Sequence, residues 1–328
     1  MGLSISVAMC TFNGKVFLPS QLESIVVQDR APNELVVCDD GSSDGSDEIV
    51  RQFSHVAPFP TRLIINDKNL GSSRNFEKAI SLSQGDVIVL ADQDDIWLRH
   101  KLRTIDEQFS ASPDLAAMFS DATLMSDTSE VLPVTLWQSH SFGQAEQRAF
   151  AAGGAFDLLL KRPVVTGATL AFRRKYCDLI LPIPSGHIHD YWISLLLVAC
   201  GRVRPVAELL IQYRRHHTQQ LGPGRKKSIR EKLTQACTRG RAFYHAETDL
   251  LSQWKQRLVD RAGRFPVSSE VILKLEEKID HGRFRATLPS SFLDRWPAIF
   301  REATNRNYWH YSDGWKSIGK DMFLLPPR

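Results

Sequence analysis

What this chain of 328 residues lacks narrows its class before any motif is read. Its longest strongly apolar run, Ile193 to Cys200, falls far short of the roughly 20 residues that a membrane-spanning helix needs. The opening residues carry no basic region, apolar stretch and cleavage site in succession, so no secretory signal is expected. Cysteines number only five (Cys10, Cys38, Cys177, Cys200 and Cys237), an odd count with no C-x-x-C pair. They read as reduced thiols of a cytoplasmic protein. A net charge of +4 is too small to argue for a nucleic-acid partner, and none is expected. Neither G-x-G-x-x-G nor G-x-x-x-x-G-K-S/T follows the first strand-like segment. That excludes a dinucleotide fingerprint and a P-loop, and any phosphate must be held chiefly by a metal.

What is present is ordinary globular composition, 43% hydrophobic and 24% charged, with one stretch out of the ordinary. Val87 to Ala91 is five apolar residues in a row, rich in β-branched types, and it runs into Asp92-Gln93-Asp94-Asp95-Ile96-Trp97. This reads as a fully buried strand ending in three carboxylates within four positions. Crowded carboxylates raise one another's pKa, so the arrangement needs a cation or a network of donors. Mg²⁺ or Mn²⁺ taking one or two carboxylates and the oxygens of a diphosphate would meet that need. A solvated acidic turn is the alternative the residues leave open.

The segments around it form a series. Strands are expected over Leu3–Cys10, Leu35–Cys38 and Leu63–Ile65, with helices after each: Val16–Val27, one capped by Ser43, Asp44 or Ser46, and one capped by Ser72 or Ser73. Strand and helix alternation predicts a mainly parallel sheet flanked by helices. In such a sheet Thr11 to Asn13, Asp39-Asp40, Asn66 to Gly71 and Asp92 to Asp95 share the rim where ligands bind. A further strand is expected over Leu115–Ser120 with Asp121 at its end, and an internal strand with a bulge at Gly167. Asp190 stands where a plain N-cap would stand, ahead of the apolar helix that Gly201 closes.

Ser-Val-Ala-Met-Cys-Thr-Phe-Asn-Gly, Asp-Asp-Gly-Ser-Ser-Asp, Asn-Leu-Gly-Ser-Ser-Arg-Asn-Phe and Asp-Gln-Asp-Asp-Ile-Trp, in this order, resemble family 2 glycosyltransferases, in particular the rhamnosyltransferase-like branch of bacterial polysaccharide synthesis. The resemblance is dense to Trp97 and looser to about residue 217. It implies a GT-A fold, an inverting enzyme, a divalent metal and a dTDP- or UDP-linked sugar donor. By position, Thr11, Phe12 and Asn13 would line the nucleotide pocket, Asp39 or Asp40 would bond the base, and Asn69, Arg74 and Asn75 would help hold the nucleotide. Asp92-Gln93-Asp94 would be the DxD motif, with Asp94 the direct metal ligand, Asp92 nearer the ribose or a metal-bound water, and Trp97 in its extended form. Gly167 would lie beneath the acceptor, Asp190 would be the general base, and Trp192 would desolvate it or stack on a sugar. In Tyr213-Arg214-Arg215-His216, His216 would reach the metal or diphosphate and Arg214 would offset leaving-group charge. Here the chain departs from the family pattern, continuing Thr-Gln-Gln after His217.

A GT-A catalytic domain over 1–221 is therefore expected, with a nucleotide-binding half to residue 97 and an acceptor half beyond it. Residues 127–154, containing Trp137, His140 and Phe142, are expected to lie over the acceptor. A helical region over 222–328 should follow, opening with seven Lys or Arg against one Glu between Arg225 and Arg241. With its aromatic tail, it suggests peripheral contact with the inner face of the membrane. The acceptor would be a glycan or lipid-linked oligosaccharide. The rivals are a sugar-phosphate nucleotidyltransferase, for which Thr11 to Gly14 lacks the glycine-rich activating loop, and a non-catalytic glycan-assembly protein.

Overall fold

The computed structural model describes residues 2–216, 241–289 and 291–323. Its first four strands are β1 (Ile5–Thr11), β2 (Glu34–Asp39), β3 (Thr61–Ile65) and β4 (Val87–Ala91), alternating with α1 (Leu18–Val26), α2 (Ser46–Val56) and α3 (Ser72–Leu82). β1 and β4 are buried at every residue, as continuous apolar runs between two layers of helices require. They pair in parallel in the order β3-β2-β1-β4. The order therefore reverses at β1, and the C-terminal ends of β1 and β4 flank the crevice that such a reversal opens.

The helix starts differ from expectation. Gly45 (φ 92°) and Gly71 (φ 82°) hold the N-cap positions of α2 and α3, and no serine caps either helix. Both loops turn sharply out of the sheet rim through positive φ, which a glycine adopts without Cβ strain. Asp44 accepts instead from Ser46 N and Oγ and from Lys15 N, and Ser73 Oγ donates to His187 O.

Beyond β4 come β5 (Ile96–Trp97), α4 (Lys101–Ala111), β6 (Leu115–Met125), β7 (Val131–Thr135), α5 (Leu136–Ser139), α6 (Gln144–Ala149), α7 (Ala155–Lys161), β8 (Leu170–Arg173), α8 (Cys177–Ile180), α9 (His189–Cys200) and β9 (Arg202–Arg214). The sheet continues β4-β8-β6-β9-β5, with β7 on β6. Here only β6 and β9 are parallel, and the β4–β8, β6–β8, β6–β7 and β5–β9 pairs are antiparallel. The sheet is thus mixed, parallel in its nucleotide half. Asp121 lies inside β6 rather than at its end, at a register shift against β9, where its Oδ1 accepts from Trp137 N. Trp137 and Phe142 do not arch over a cleft: both are buried with Phe119 and Phe150 in one aromatic cluster. Gly167 begins a 3-10 turn, Gly167–Thr169, ahead of β8 rather than a strand bulge.

The chain forms two compact units, 1–155 with 164–223, and 156–163 with 224–328. The short segment 156–163 so departs from a simple division at residue 221. In the second unit the described elements are α10 (Arg241–Arg261), α11 (Ser269–Ala286), α12 (Phe292–Thr304), α13 (Asn307–Tyr311) and α14 (Trp315–Phe323). Leu251, Trp254 and Leu258 of α10 and Leu275 and Ile279 of α11 are buried, while Phe243 is exposed. Arg285 grips Asp321 with two bonds of 2.7 and 2.9 Å, and Tyr308 donates to the same carboxylate. Apart from Arg241, the basic run 225–241 lies outside the described residues. No described helix is long and apolar enough to cross a membrane.

Candidate active site

Each of the four polar segments leaves the C-terminal end of a parallel strand, and the structure joins three of them directly. Thr11 Oγ1 donates to Asp39 Oδ2 at 2.7 Å, and Ser42 supplies Asp39 with two further donors. Asp40 accepts from Asn66 Nδ2, Leu70 N and Gly71 N, each at 2.8 Å. Asn75 reaches back from α3 to Cys38 O and accepts from Asn66. This end of the rim is buried and every carboxylate oxygen has a donor from the chain itself. Gln93 ties the fourth segment to the first, accepting from Phe12 N at 2.8 Å and donating to Phe12 O at 3.0 Å. Asn13 bonds the Ser42–Ser43 turn. Two expected nucleotide ligands stand apart from this cluster: Asn69 is exposed and accepts from Gly71 N, and Arg74 turns along α3 to Glu77.

The acids after β4 are arranged differently. Burial, then Asp94, then Asp190 push the Asp92 carboxyl up to about 7, while Lys101 opposes the shift. Asp95 is buried; its Oδ1 accepts from Arg214 N at 2.9 Å, but its Oδ2 has no partner. Burial, with Asp94 and Asp92 alongside, pushes its carboxyl well up too. Asp94 Oδ2 stands 2.6 Å from His216 Nε2, so the loop after β9 is brought to the motif as expected by position.

Sequence reasoning missed Lys101. It is fully buried, its Nζ donates to Ala168 O at 2.8 Å and lies 3.9 Å from the centre of the Trp97 ring. Burial lowers it to about 7, and Asp95 and Asp92 hold it up. Lys101 is the first residue of α4, where the helix dipole disfavours a cation. That position was the one available signal that something else holds it there. Trp97 itself is buried as the platform for this ammonium.

Asp190 is not the cap of α9. Ile188 is, and Asp190 stands second in the helix. From there its Oδ1 accepts from Tyr191 N at 2.7 Å and its Oδ2 from Gly167 N at 3.1 Å. The turn that Asp190 holds at Gly167 N also supplies Ala168 O to the Lys101 ammonium, which links Asp190 to the acid cluster. A Cβ at position 167 would stand 2.8 Å from His189 Nε2, so glycine is what lets α9 approach this turn. His189 is buried against the Phe76 ring, with centroids 4.1 Å apart. Trp192, expected beside a sugar, is wholly buried and donates to Ile180 O, because the helix turns it inward. Arg214 is buried as well: its guanidinium bonds Asp94 O, Ser126 O and Ser129 Oγ and lies over Phe17. It anchors the acid turn rather than projecting into the cleft. Among the described residues no three His, Cys, Asp or Glu groups form a complete metal cluster.

The sequence family described as Glycosyl transferase family 2 matches residues 6–180, over half the chain. An uncharacterized glycosyltransferase of Nostoc sp. is 25% identical over 219 residues, 65% of each chain. The chain thus spans less than two thirds of this relative's length. The dTDP-rhamnosyl transferase RfbG of Shigella flexneri is 31% identical over 99 residues, 29% of this chain and 34% of that one. Among solved structures, a mannosyltransferase from Pyrobaculum calidifontis in complex with GDP-Man and Mn²⁺ superposes with a TM-score of 0.54 at 16% identity, covering 99% of this chain and 86% of its own. At that identity the likeness establishes the fold, a GT-A-like mixed sheet flanked by helices.

Proposed function

Since this chain belongs to glycosyltransferase family 2, we propose that it is an inverting enzyme that moves a sugar from a nucleoside-diphosphate donor to a hydroxyl of a bacterial cell-surface glycan or its lipid-linked precursor. The observation that carries the reading is the approach of three distant parts of the chain at the sheet's switch point: His216 Nε2 stands 2.6 Å from Asp94 Oδ2, and Asp190 holds the Gly167 turn whose Ala168 O bonds Lys101. The 31% likeness to a dTDP-rhamnosyl transferase over 99 residues supports a dTDP-linked donor with rhamnose as the candidate sugar. The free cysteines Cys10, Cys38, Cys177 and Cys200 accord with work in the cytoplasm.

Asp190 is the base in this reading. Bonds from Gly167 N and Tyr191 N fix its carboxylate, which takes the proton of the acceptor hydroxyl as that oxygen attacks the anomeric carbon. The bond from that carbon to the diphosphate breaks on the opposite face, and the configuration inverts. Asp39 and Asp40 hold the loops that would surround the nucleotide, with Thr11, Phe12, Asn13 and Asn75 on the same rim.

A divalent cation fits the other end. Asp94 and His216 offer two donors, and the unpartnered Asp95 oxygen beside them leaves charge that matches an ion that takes one or two carboxylates and completes its shell with phosphate and water. Bound there, Mg²⁺ or Mn²⁺ would supply positive charge to the departing diphosphate. The Mn²⁺ of the mannosyltransferase complex supports the choice of ion. The test is thermal stabilisation by dTDP- and UDP-sugars with Mn²⁺ and with chelator. Wild type should gain several degrees in Mn²⁺ alone, as preferential binding to the folded state requires. Asp94→Asn should lose that gain; equal stabilisation with and without chelator would remove the metal from the mechanism.

A further inference from the structure

We propose that the outer face of α12 and α14 in the second unit is a docking surface for an anionic lipid bilayer. Phe292, Leu293, Trp296 and Phe300 follow one another along α12 at i, i+1, i+4 and i+8, and Trp315 and Phe323 stand at the two ends of α14. All six expose 43 to 76% of their surface. The rings of Phe292 and Phe323 lie 6.1 Å apart and join the two helices into one patch. The fold does not need these side chains. The inner faces of the same helices already contribute Ile299 and Ile318 to a separate core with Leu288 and Tyr308. The outer aromatics are surplus to that core, and contiguous apolar surface of this extent marks an interaction site.

Charge selects the occupant. Two of the four acids between residues 291 and 323 are turned inward: Glu302 bonds His281 and Asn307, and Asp321 bonds Arg285 and Tyr308. Of the cations Arg295 is buried, but Arg301, Arg306 and Lys316 are exposed and Lys320 partly so, against exposed Asp294 and Asp313. Lys316 and Lys320 share the solvent side of α14 with Trp315 and Phe323. Aromatic and leucine side chains beside lysines on a short amphipathic helix are the pattern of an interfacial helix, and each cation near an anionic surface adds attraction. At 13 residues α12 is far too short to span a bilayer, so the contact lies in the headgroup plane. A second copy is a poorer occupant, because pairing two such faces would set these cations against their own counterparts. The inference stands whether or not the chain transfers sugar.

Flotation of the full chain with vesicles tests it. Wild type should float with vesicles containing phosphatidylglycerol, float far less with pure phosphatidylcholine, and be released by salt. Trp296→Ser with Phe300→Ser should lower the vesicle partition coefficient about tenfold or more, and Lys316→Glu with Lys320→Glu should remove the preference for anionic lipid. All four positions are solvent-facing, and circular dichroism should show the wild-type helix content; if the double serine variant unfolds, Leu293→Ser provides the same comparison. Wild type that ignores anionic vesicles, aromatic variants that float like wild type, or a wild-type dimer that the serine substitutions dissolve without any lipid binding would each overturn the proposal.

Discussion

Two groups of acids stand at the ends of β2 and β4, the strands on either side of β1, and the structure treats them in opposite ways. Asp39 and Asp40, after β2, are saturated: Thr11, Ser42, Asn66 and the backbone of Leu70 and Gly71 bond their oxygens. Asp92, Asp94 and Asp95, after β4, are crowded, with one carboxylate oxygen orphaned and opposing charge from buried Lys101 and Arg214. A carboxylate that accepts several N–H bonds is a structural tie, worth its keep with nothing bound. A carboxylate short of donors is stable only in the presence of something positive, and that shortage is what a ligand site looks like before the ligand arrives.

Substitutions should separate the two ends by kind of effect. The largest is expected at Asp190, which the acid cluster includes: Asp190→Asn should cut transfer roughly a thousandfold with the fold and donor binding intact, the range for a lost general base. Transfer at the wild-type rate in a folded variant would leave Asp190 as nothing more than the partner of Gly167 N. At the saturated end, Asp40→Ala removes one acceptor from the Asn66 amide and from the Leu70 and Gly71 N–H groups, and should cost about 2–4 kcal/mol of stability in denaturant titration. Its Mn²⁺ dependence should be unchanged; a variant as stable as wild type would abolish the distinction between the two ends.

The smallest effect expected is a shift in pH. Asp92 is neutral below about 7 and ionised above it, so cation-supported donor binding should strengthen as pH rises through that value. The sign for the folded protein without cation is the reverse. A raised carboxyl keeps its proton where the unfolded chain has lost it, so this contribution to stability is present at low pH and is lost as pH climbs to about 7. Lys101→Met removes the group that lowers the Asp92 pKa, and should move the midpoint of Mn²⁺-dependent binding upward by about one pH unit. An unmoved midpoint would mean that the buried ammonium does not sense the acids.

Much of the frame was legible in the chain. Val87 to Ala91 and Leu35 to Cys38 are apolar runs too short for buried helices, and their alternation with amphipathic segments already implied a parallel sheet and hence a shared rim. What misled were side chains whose surroundings come from elsewhere. Trp192 was expected to desolvate the base or stack on a sugar, and Trp137 to lie over the acceptor, because an indole serves equally in a core; only packing showed both inside. The serines around the starts of α2 and α3 were plausible caps until positive φ placed glycines at the N-cap positions. The antiparallel pairs of β8 with β4 and β6 depend on contacts between residues far apart in the chain, which local pattern does not carry.

The sequence by itself therefore determined which segments end in acid and that those ends lie together, because strand direction follows from local periodicity and crossover handedness. Tertiary structure alone decided which acids are satisfied. Asp40 and Asp95 are the same residue type at the same kind of strand end. One meets Asn66, Leu70 and Gly71, and the other meets Lys101, Arg214 and an empty side. A carboxylate's state is set by donors within a few ångströms, and those donors come from parts of the chain that only the fold brings near.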